Sequence, residues 1–154
     1  MIKVMFVCHG NICRSTMAEF LLKDKVKKLG LEDEFVIRSS GVSSEEAGNP
    51  VHYGTRQILS RLGISCAGKY AVKIRQSEYD DYDYFICMDE NNRRGLMRIF
   101  GSDPENKISL LMDYTKRPGS VADPYWTGNF EDTYRDIEEG LNGFLAFLQK
   151  YNEK

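Results

Sequence analysis

Cys8 and Arg14 stand six positions apart in the run Val7-Cys8-His9-Gly10-Asn11-Ile12-Cys13-Arg14-Ser15, a thiol and a guanidinium at the two ends of one short loop. A loop that turns its backbone N–H groups inward and runs into the positive end of a helix binds an oxyanion. The same donors favour thiolate over thiol, which makes Cys8 a nucleophile at neutral pH. Arg14 offers a planar fork matched to two equatorial oxygens of a phosphoryl group, a fit that lysine's point charge lacks. His9, Gly10, Asn11, Ile12, Cys13, Arg14 and Ser15 are therefore the expected phosphate cradle, with Gly10 permitting the unusual dihedrals and close approach of the turn. The Walker pattern G-x-x-x-x-G-K-S/T is absent, so this loop reads as sulfur and arginine chemistry rather than as a nucleotide site with magnesium.

A thiolate that attacks a phosphate monoester must expel an alkoxide or phenoxide, and a phenol of pKa about 10 leaves far more readily when an acid protonates it. The best carboxylic acid is Asp123 in Ala122-Asp123-Pro124-Tyr125-Trp126. Pro124 stiffens that turn, and Tyr125 and Trp126 are expected to form an apolar wall that helps keep the acid protonated. An Asp-Pro pair taken alone is a common turn; its pairing with Cys8 and Arg14 gives it a chemical role.

These residues need a frame. Met1 to Val7 is an almost continuous apolar run broken only by Lys3, as in a strand buried on both faces of a parallel sheet. Cys8 then lies at the carboxyl end of that strand. Thr16 with Glu19 fits a capping box, and Met17, Leu21, Leu22, Val26 and Leu29 recur at helical spacing until Gly30. Strands at about 2–7, 34–39, 83–88 and 107–111 alternate with helices near 16–29, 53–62, 89–100 and 130–151, the pattern of an α/β doubly wound parallel sheet. The last helix carries Phe130, Tyr134, Ile137, Leu141, Phe144, Leu145, Leu148 and Tyr151 at spacings of three and four, a core face. The 154 residues show no repeat or linker and are expected to form one domain, 1–154.

The net charge of −2 makes the basic run Lys23, Lys25, Lys27 and Lys28 a solvated helix face, not a nucleic-acid patch. The sequence contains no transmembrane stretch and no signal peptide, which predicts a cytoplasmic protein that does not engage a membrane. In that reducing compartment Cys66 and Cys87 read as small buried residues rather than disulfide partners. Cys8, His9 and Cys13 fall short of a four-ligand zinc set, so neither a metal nor another cofactor is expected. His9 reads as a rim residue and His52 as a surface or capping group. Cys13, five residues after Cys8, is expected to be a redox partner that captures a sulfenic acid on Cys8 as a disulfide.

Three segments together resemble the low-molecular-weight protein tyrosine phosphatase family: Val7 to Ser15 followed by Met17-Ala18-Glu19, Phe85-Ile86-Cys87-Met88-Asp89 with Asn92, and Asp123-Pro124-Tyr125-Trp126. The resemblance covers essentially the whole chain. It implies Cys8 as nucleophile, Arg14 as transition-state clamp, Asp123 as proton donor, and Asn11 and Ser15 as supports of loop and thiolate. It also implies four strands in the order 2-1-3-4, which puts Cys8 at the switch point of the sheet. The implied reaction is hydrolysis of protein phosphotyrosine and small aryl phosphates through a phosphocysteine; the sequence itself sets no oligomeric state. Three departures from the family stand out. Thr16 replaces a frequent proline, Lys69 lies near a frequent histidine, and Glu45 occupies the substrate-wall segment where many members carry an aromatic. Tyr125 and Trp126 are left as the aromatic wall beside Glu45. A phosphoarginine phosphatase usually has threonine in place of Ile12, and a thioredoxin-coupled arsenate reductase needs two cysteines spaced seven apart near position 85, where only Cys87 lies. Both are alternatives, the reductase the weaker.

Overall fold

β1 (Ile2–Cys8) is an interior strand of a four-stranded, all-parallel sheet in the order β2-β1-β3-β4, completed by β2 (Phe35–Gly41), β3 (Tyr84–Cys87) and β4 (Ile108–Leu110). This is a computed structural model that describes residues 1–152, with side chains through residue 149. Among the described residues five α-helices flank the sheet: α1 (Arg14–Lys28), α2 (Tyr53–Arg61), α3 (Glu90–Phe100), α4 (Pro124–Thr127) and α5 (Phe130–Asn152). The expected α/β class and strand order hold.

Side chains alternate across β1 with period two. Val4, Phe6 and Cys8 enter one core with Met17, Leu21 and Leu22 of α1 and Ile137, Leu141 and Phe144 of α5. Met5 and Val7 enter a second core with Phe85 of β3 and Leu96 and Phe100 of α3. Burial of each large apolar side chain contributes roughly 1.5–3 kcal/mol, and such burial on both faces of β1 holds the end of that strand, where Cys8 stands, in a fixed place.

Several expectations about the ends of elements are corrected. α1 begins at Arg14 rather than near residue 16, with Cys13 at its N-cap. Thr16 is not a cap: it lies in the first turn and its Oγ1 donates back to the Cys13 carbonyl at 2.9 Å. Glu19 closes no capping box either, because it is buried and accepts from Ser39 and Lys23 instead. The loop ahead of α1 itself turns the chain into the helix. Leu29 falls at the C-cap beyond the last turn and is 60% exposed, so it leaves the apolar stripe. Tyr151, expected on the core face of α5, lies outside the residues whose side chains are described. The single turn α4 had no periodicity to announce it; Asp123 caps it, Pro124 opens it and Gly128 ends it at φ +66°.

Candidate active site

Asn11, not Gly10, takes the left-handed backbone conformation in the loop after β1, at φ +61°. Asparagine tolerates that region when its short amide finds local partners, and this one finds three. Its Nδ2 donates to Ser15 Oγ and to Ser39 Oγ, both at 2.9 Å, and its Oδ1 accepts from the Val72 N–H at 3.1 Å. Its own backbone N–H donates to Cys8 Sγ at 3.3 Å. Ser15 Oγ lies 3.0 Å from the same sulfur, and since it already accepts from Asn11, its hydroxyl proton is the one available to Cys8. Two donors thus converge on Sγ.

Gly10 meets one half of its expectation: it takes no left-handed φ, but a Cβ there would lie 3.1 Å from Glu46 Cγ, so its value is close approach. Gly41, at the end of β2, is tighter still. A Cβ on Gly41 would meet the His9 carbonyl oxygen at 2.6 Å and the Gly10 carbonyl carbon at 3.1 Å, both backbone atoms. Just beyond it, the N–H groups of Val42 and Ser43 donate to the carbonyls of Cys8 and His9 at 3.0 Å each. The loop is therefore braced by the neighbouring strand and the residues just beyond it through main chain, and by Ser39 through its side chain.

Behind the loop a buried polar chain runs outward. Ser39 Oγ donates to Glu19 Oε1 at 2.5 Å, Lys23 pairs with Glu19 Oε2 at 2.6 Å, and Lys69 Nζ lies 3.5 Å from Glu19 Oε1 while donating to the Ser39 carbonyl at 2.9 Å. Burial lowers the Lys69 ammonium's pKa, and the Glu19 carboxylate opposes that shift. Ser39, Glu19, Lys69 and Gly41 were not singled out as site residues from the sequence. Their signal was weak but present: a Ser-Ser-Gly run at the end of a buried strand, and a glutamate inside an apolar helical stripe.

Arg14 is 3% exposed, and its guanidinium reaches three residues on two distant segments. Nη1 donates to the Val121 carbonyl at 3.0 Å; Nη2 donates to Asp89 Oδ2 at 2.9 Å and reaches Asp123 Oδ2 at 3.3 Å. Asp89 is itself fixed as the N-cap of α3 by a reciprocal bond with Asn92. The Asp123 carboxyl also accepts from the Tyr125 N–H at 3.0 Å. Cys8, Arg14 and Asp123 are thereby brought to one place although 109 positions separate the last two.

The expected aromatic enclosure of Asp123 is not formed. Tyr125 and Trp126 are 81% and 80% exposed and pack edge to face on each other, centroids 4.8 Å apart. One turn of helix directs Pro124 inward and the next two side chains outward, so the carboxyl faces a guanidinium and an amide rather than a ring. Glu45 and His9 meet on the rim at 3.4 Å, both largely exposed. Ile12 contributes its carbonyl to the His52 N–H at 2.9 Å. Cys13 is partly buried, and burial, reinforced by neighbouring Cys8 and Asp123, pushes its thiol up to about 12. Burial likewise raises Cys87 and Cys66. His52 caps α2 through Nδ1, which accepts from Gly54 N–H at 3.0 Å, and its ring stacks on Phe130. Among the described residues no group of three or more His, Cys, Asp or Glu is arranged to hold a metal ion, and no helix is long and apolar enough to cross a membrane.

This geometry matches known proteins along its full length. The curated relative YfkJ of Bacillus subtilis, a low molecular weight protein-tyrosine-phosphatase, is 43% identical over 152 residues, 97% of each chain. The crystal structure of YfkJ superimposes with a TM-score of 0.93 at 42% identity, covering 98% of this chain and 96% of that one. The low molecular weight protein tyrosine phosphatase SP-PTP of Streptococcus pyogenes gives 0.87 at 38% identity over 99% and 98% of the two chains. A drosophila arginine phosphatase also gives 0.87, at 32% identity over 96% and 98%. The family model described as low molecular weight phosphotyrosine protein phosphatase matches residues 3–154, and the chain belongs to that family of cysteine-dependent phosphoric monoester hydrolases.

Proposed function

We propose that the protein hydrolyses protein phosphotyrosine and small aryl phosphates, with Cys8 attacking phosphorus in line to form a phosphocysteine. The observation that carries this reading is the convergence on Arg14: a guanidinium buried beside the Cys8 loop that also bonds Asp123. The amides of residues 9–15 and the Arg14 fork hold the three equatorial oxygens, and Asn11 and Ser15 hold the sulfur. Once phosphate oxygens take up the Arg14 donors, the Asp123 carboxyl carries the proton to the departing phenol. The resulting carboxylate then activates the water that releases phosphate. Tyr125, Trp126 and Glu45 form the rim against which the aryl group lies.

Acid quenching during turnover of a phosphotyrosine peptide tests this directly. A phosphoryl group on the Cys8 peptide is the expected result; phosphate released with no such adduct, or an adduct elsewhere, overturns it. The structural likeness to an arginine phosphatase favours assaying phosphoarginine beside phosphotyrosine and arsenate, with turnover greatest on phosphotyrosine. We assign a cytoplasmic setting, where reduced thiols keep Cys8 active. Peroxide there would convert the thiolate to a sulfenic acid, and attack by Cys13 would expel water to give a disulfide. A Cys8–Cys13 linked peptide that reductant reverses is the expected product. Full recovery of oxidised Cys13→Ser by reductant would count against that role.

A further inference from the structure

Ala122, the residue before the proposed proton donor, is held at both of its polar backbone groups by side chains of one helix. Its N–H donates to Asp136 Oδ2 at 2.9 Å, and its carbonyl accepts from Thr133 Oγ1 at 2.8 Å. The two side chains lie one helical turn apart near the start of α5. Thr133 is wholly buried, and its hydroxyl, which in a helix ordinarily turns back to its own carbonyl ladder, reaches Asn129 O only at 3.5 Å. Its short bond is the one to Ala122. Asp136 is held in turn by Arg117 at 3.1 Å, and Arg117 also grips Glu139 at 2.8 Å. The clamped residue stands between two that meet Arg14: Val121 through its carbonyl at 3.0 Å and Asp123 through its carboxylate at 3.3 Å. Because peptide groups are planar, fixing the N–H and the C=O of Ala122 fixes the peptide planes on either side of it. The backbone torsions of Ala122 that would carry Asp123 away from the loop are then restrained.

We infer that Thr133 and Asp136 are positioning residues for the proton donor, acting through the Ala122 backbone to hold Asp123 within reach of the leaving oxygen. The inference rests on the assignment of Asp123 as the acid. A bond network that only stabilised the fold would affect all substrates alike. A clamp on the acid affects those that need a proton, because only an unactivated phenol depends on protonation in the transition state.

The test compares kcat/KM on phenyl phosphate with kcat/KM on 4-nitrophenyl phosphate, which reports the step that expels the phenol and not the later hydrolysis shared by both, alongside inhibition by inorganic phosphate as a readout of the phosphate loop. Thr133→Val keeps the shape and removes the donor; Asp136→Leu removes the acceptor; Thr133→Ser restores the hydroxyl. Thr133→Val and Asp136→Leu should lower kcat/KM on phenyl phosphate by about 10-fold, and on 4-nitrophenyl phosphate by less than about threefold, with phosphate inhibition changed less than about twofold. Thr133→Ser should recover the ratio between the two substrates. Equal losses in kcat/KM on both substrates, phosphate inhibition weakened in step with them, or no change in kcat/KM on either would overturn the clamp. If Asp136→Leu fails to fold, the Thr133 pair decides. Asp123→Asn, run in parallel, separates the two assignments. A leaving-group-selective loss there with none in Thr133→Val overturns the clamp alone, whereas no selective loss in Asp123→Asn overturns the acid and the clamp together.

Discussion

The phosphate loop and the acid loop meet at Arg14 but are built in opposite ways. The first is compact in sequence and buried: Asn11 is 1% exposed, Arg14 3% and Ser15 0%, and both donors to the Cys8 sulfur, the Asn11 N–H and the Ser15 hydroxyl, belong to the loop itself. The second is rooted by imported side chains, Thr133 and Asp136, and carries an open tip in Tyr125 and Trp126. A nucleophile and an anion clamp need a fixed, dry cradle, because their contribution comes from preorganised donors that do not have to rearrange. A proton donor must instead meet a leaving group that differs from substrate to substrate. A firm root with a free tip suits that task.

The contrast predicts a ranking. Cys8→Ser should fold normally and still bind phosphate or vanadate, because the loop bonds outlive the loss of sulfur, yet turnover should fall by about 10⁴-fold or more. A serine hydroxyl is not ionised by two hydrogen bonds, and the described contacts of Cys8 include no base. Steady-state rates within tenfold of wild type would remove Cys8 from the nucleophile's place. Asp123→Asn should cost about 10²-fold or more on phenyl phosphate and much less on activated esters. A loss that ignores the leaving group would move the acid elsewhere, and Asp89, the other carboxylate on Arg14, is the next to examine.

Gly41→Ala probes the cradle without touching its chemistry. The added methyl meets main-chain atoms at 2.6 and 3.1 Å, which cannot step aside as a side-chain tip can. Since displacement by about 1 Å can cost up to 10²-fold, kcat should fall roughly 10-fold or more, with phosphate inhibition weakened in parallel. That parallel loss on all substrates is the opposite signature from Asp123→Asn. Unchanged phosphate inhibition would show that β2 does not brace the loop.

The same contrast explains what could be read from the chain. Cys8 and Arg14 were legible because a single contiguous run contains both, and the strand before and helix after them have strong apolar periods. Order and strand pairing followed from resemblance, since periodicity carries no information about which strands adjoin. The element ends moved where local bonding overrode propensity: Thr16 turned its hydroxyl to Cys13 instead of capping, and Glu19 was drawn inward to Ser39. Asp123 stood out through its neighbours, but its surroundings did not. Whether Tyr125 and Trp126 enclose the carboxyl depends on which way one helical turn faces, and a four-residue element has too few side chains to show a period. Arg14 finds the Val121 carbonyl and the carboxylates of Asp89 and Asp123 across 75 or more positions, and the Ala122 clamp grips a main-chain N–H and carbonyl, to which residue type gives no clue.

The smallest effect should fall at the tip. Trp126 is 80% exposed and packs chiefly on Tyr125, while Asp123 is held from beneath by Arg14 and by the Tyr125 N–H. Trp126→Ala should therefore leave stability within about 0.5 kcal/mol of wild type, the usual range for surface substitutions. Inhibition by inorganic phosphate should be unaltered, since the cradle does not touch the ring. The change should appear only with an aryl substrate large enough to lie along the rim. For a phosphotyrosine peptide KM should rise several-fold at nearly constant kcat, as when binding common to ground and transition states is lost, by the roughly 0.5–1.5 kcal/mol of one aromatic contact. Thermal denaturation and steady-state kinetics on peptide and phenyl phosphate together decide it. If kcat falls with KM unchanged, the tip steers the acid after all, and the division between rooted base and free edge would have to be abandoned.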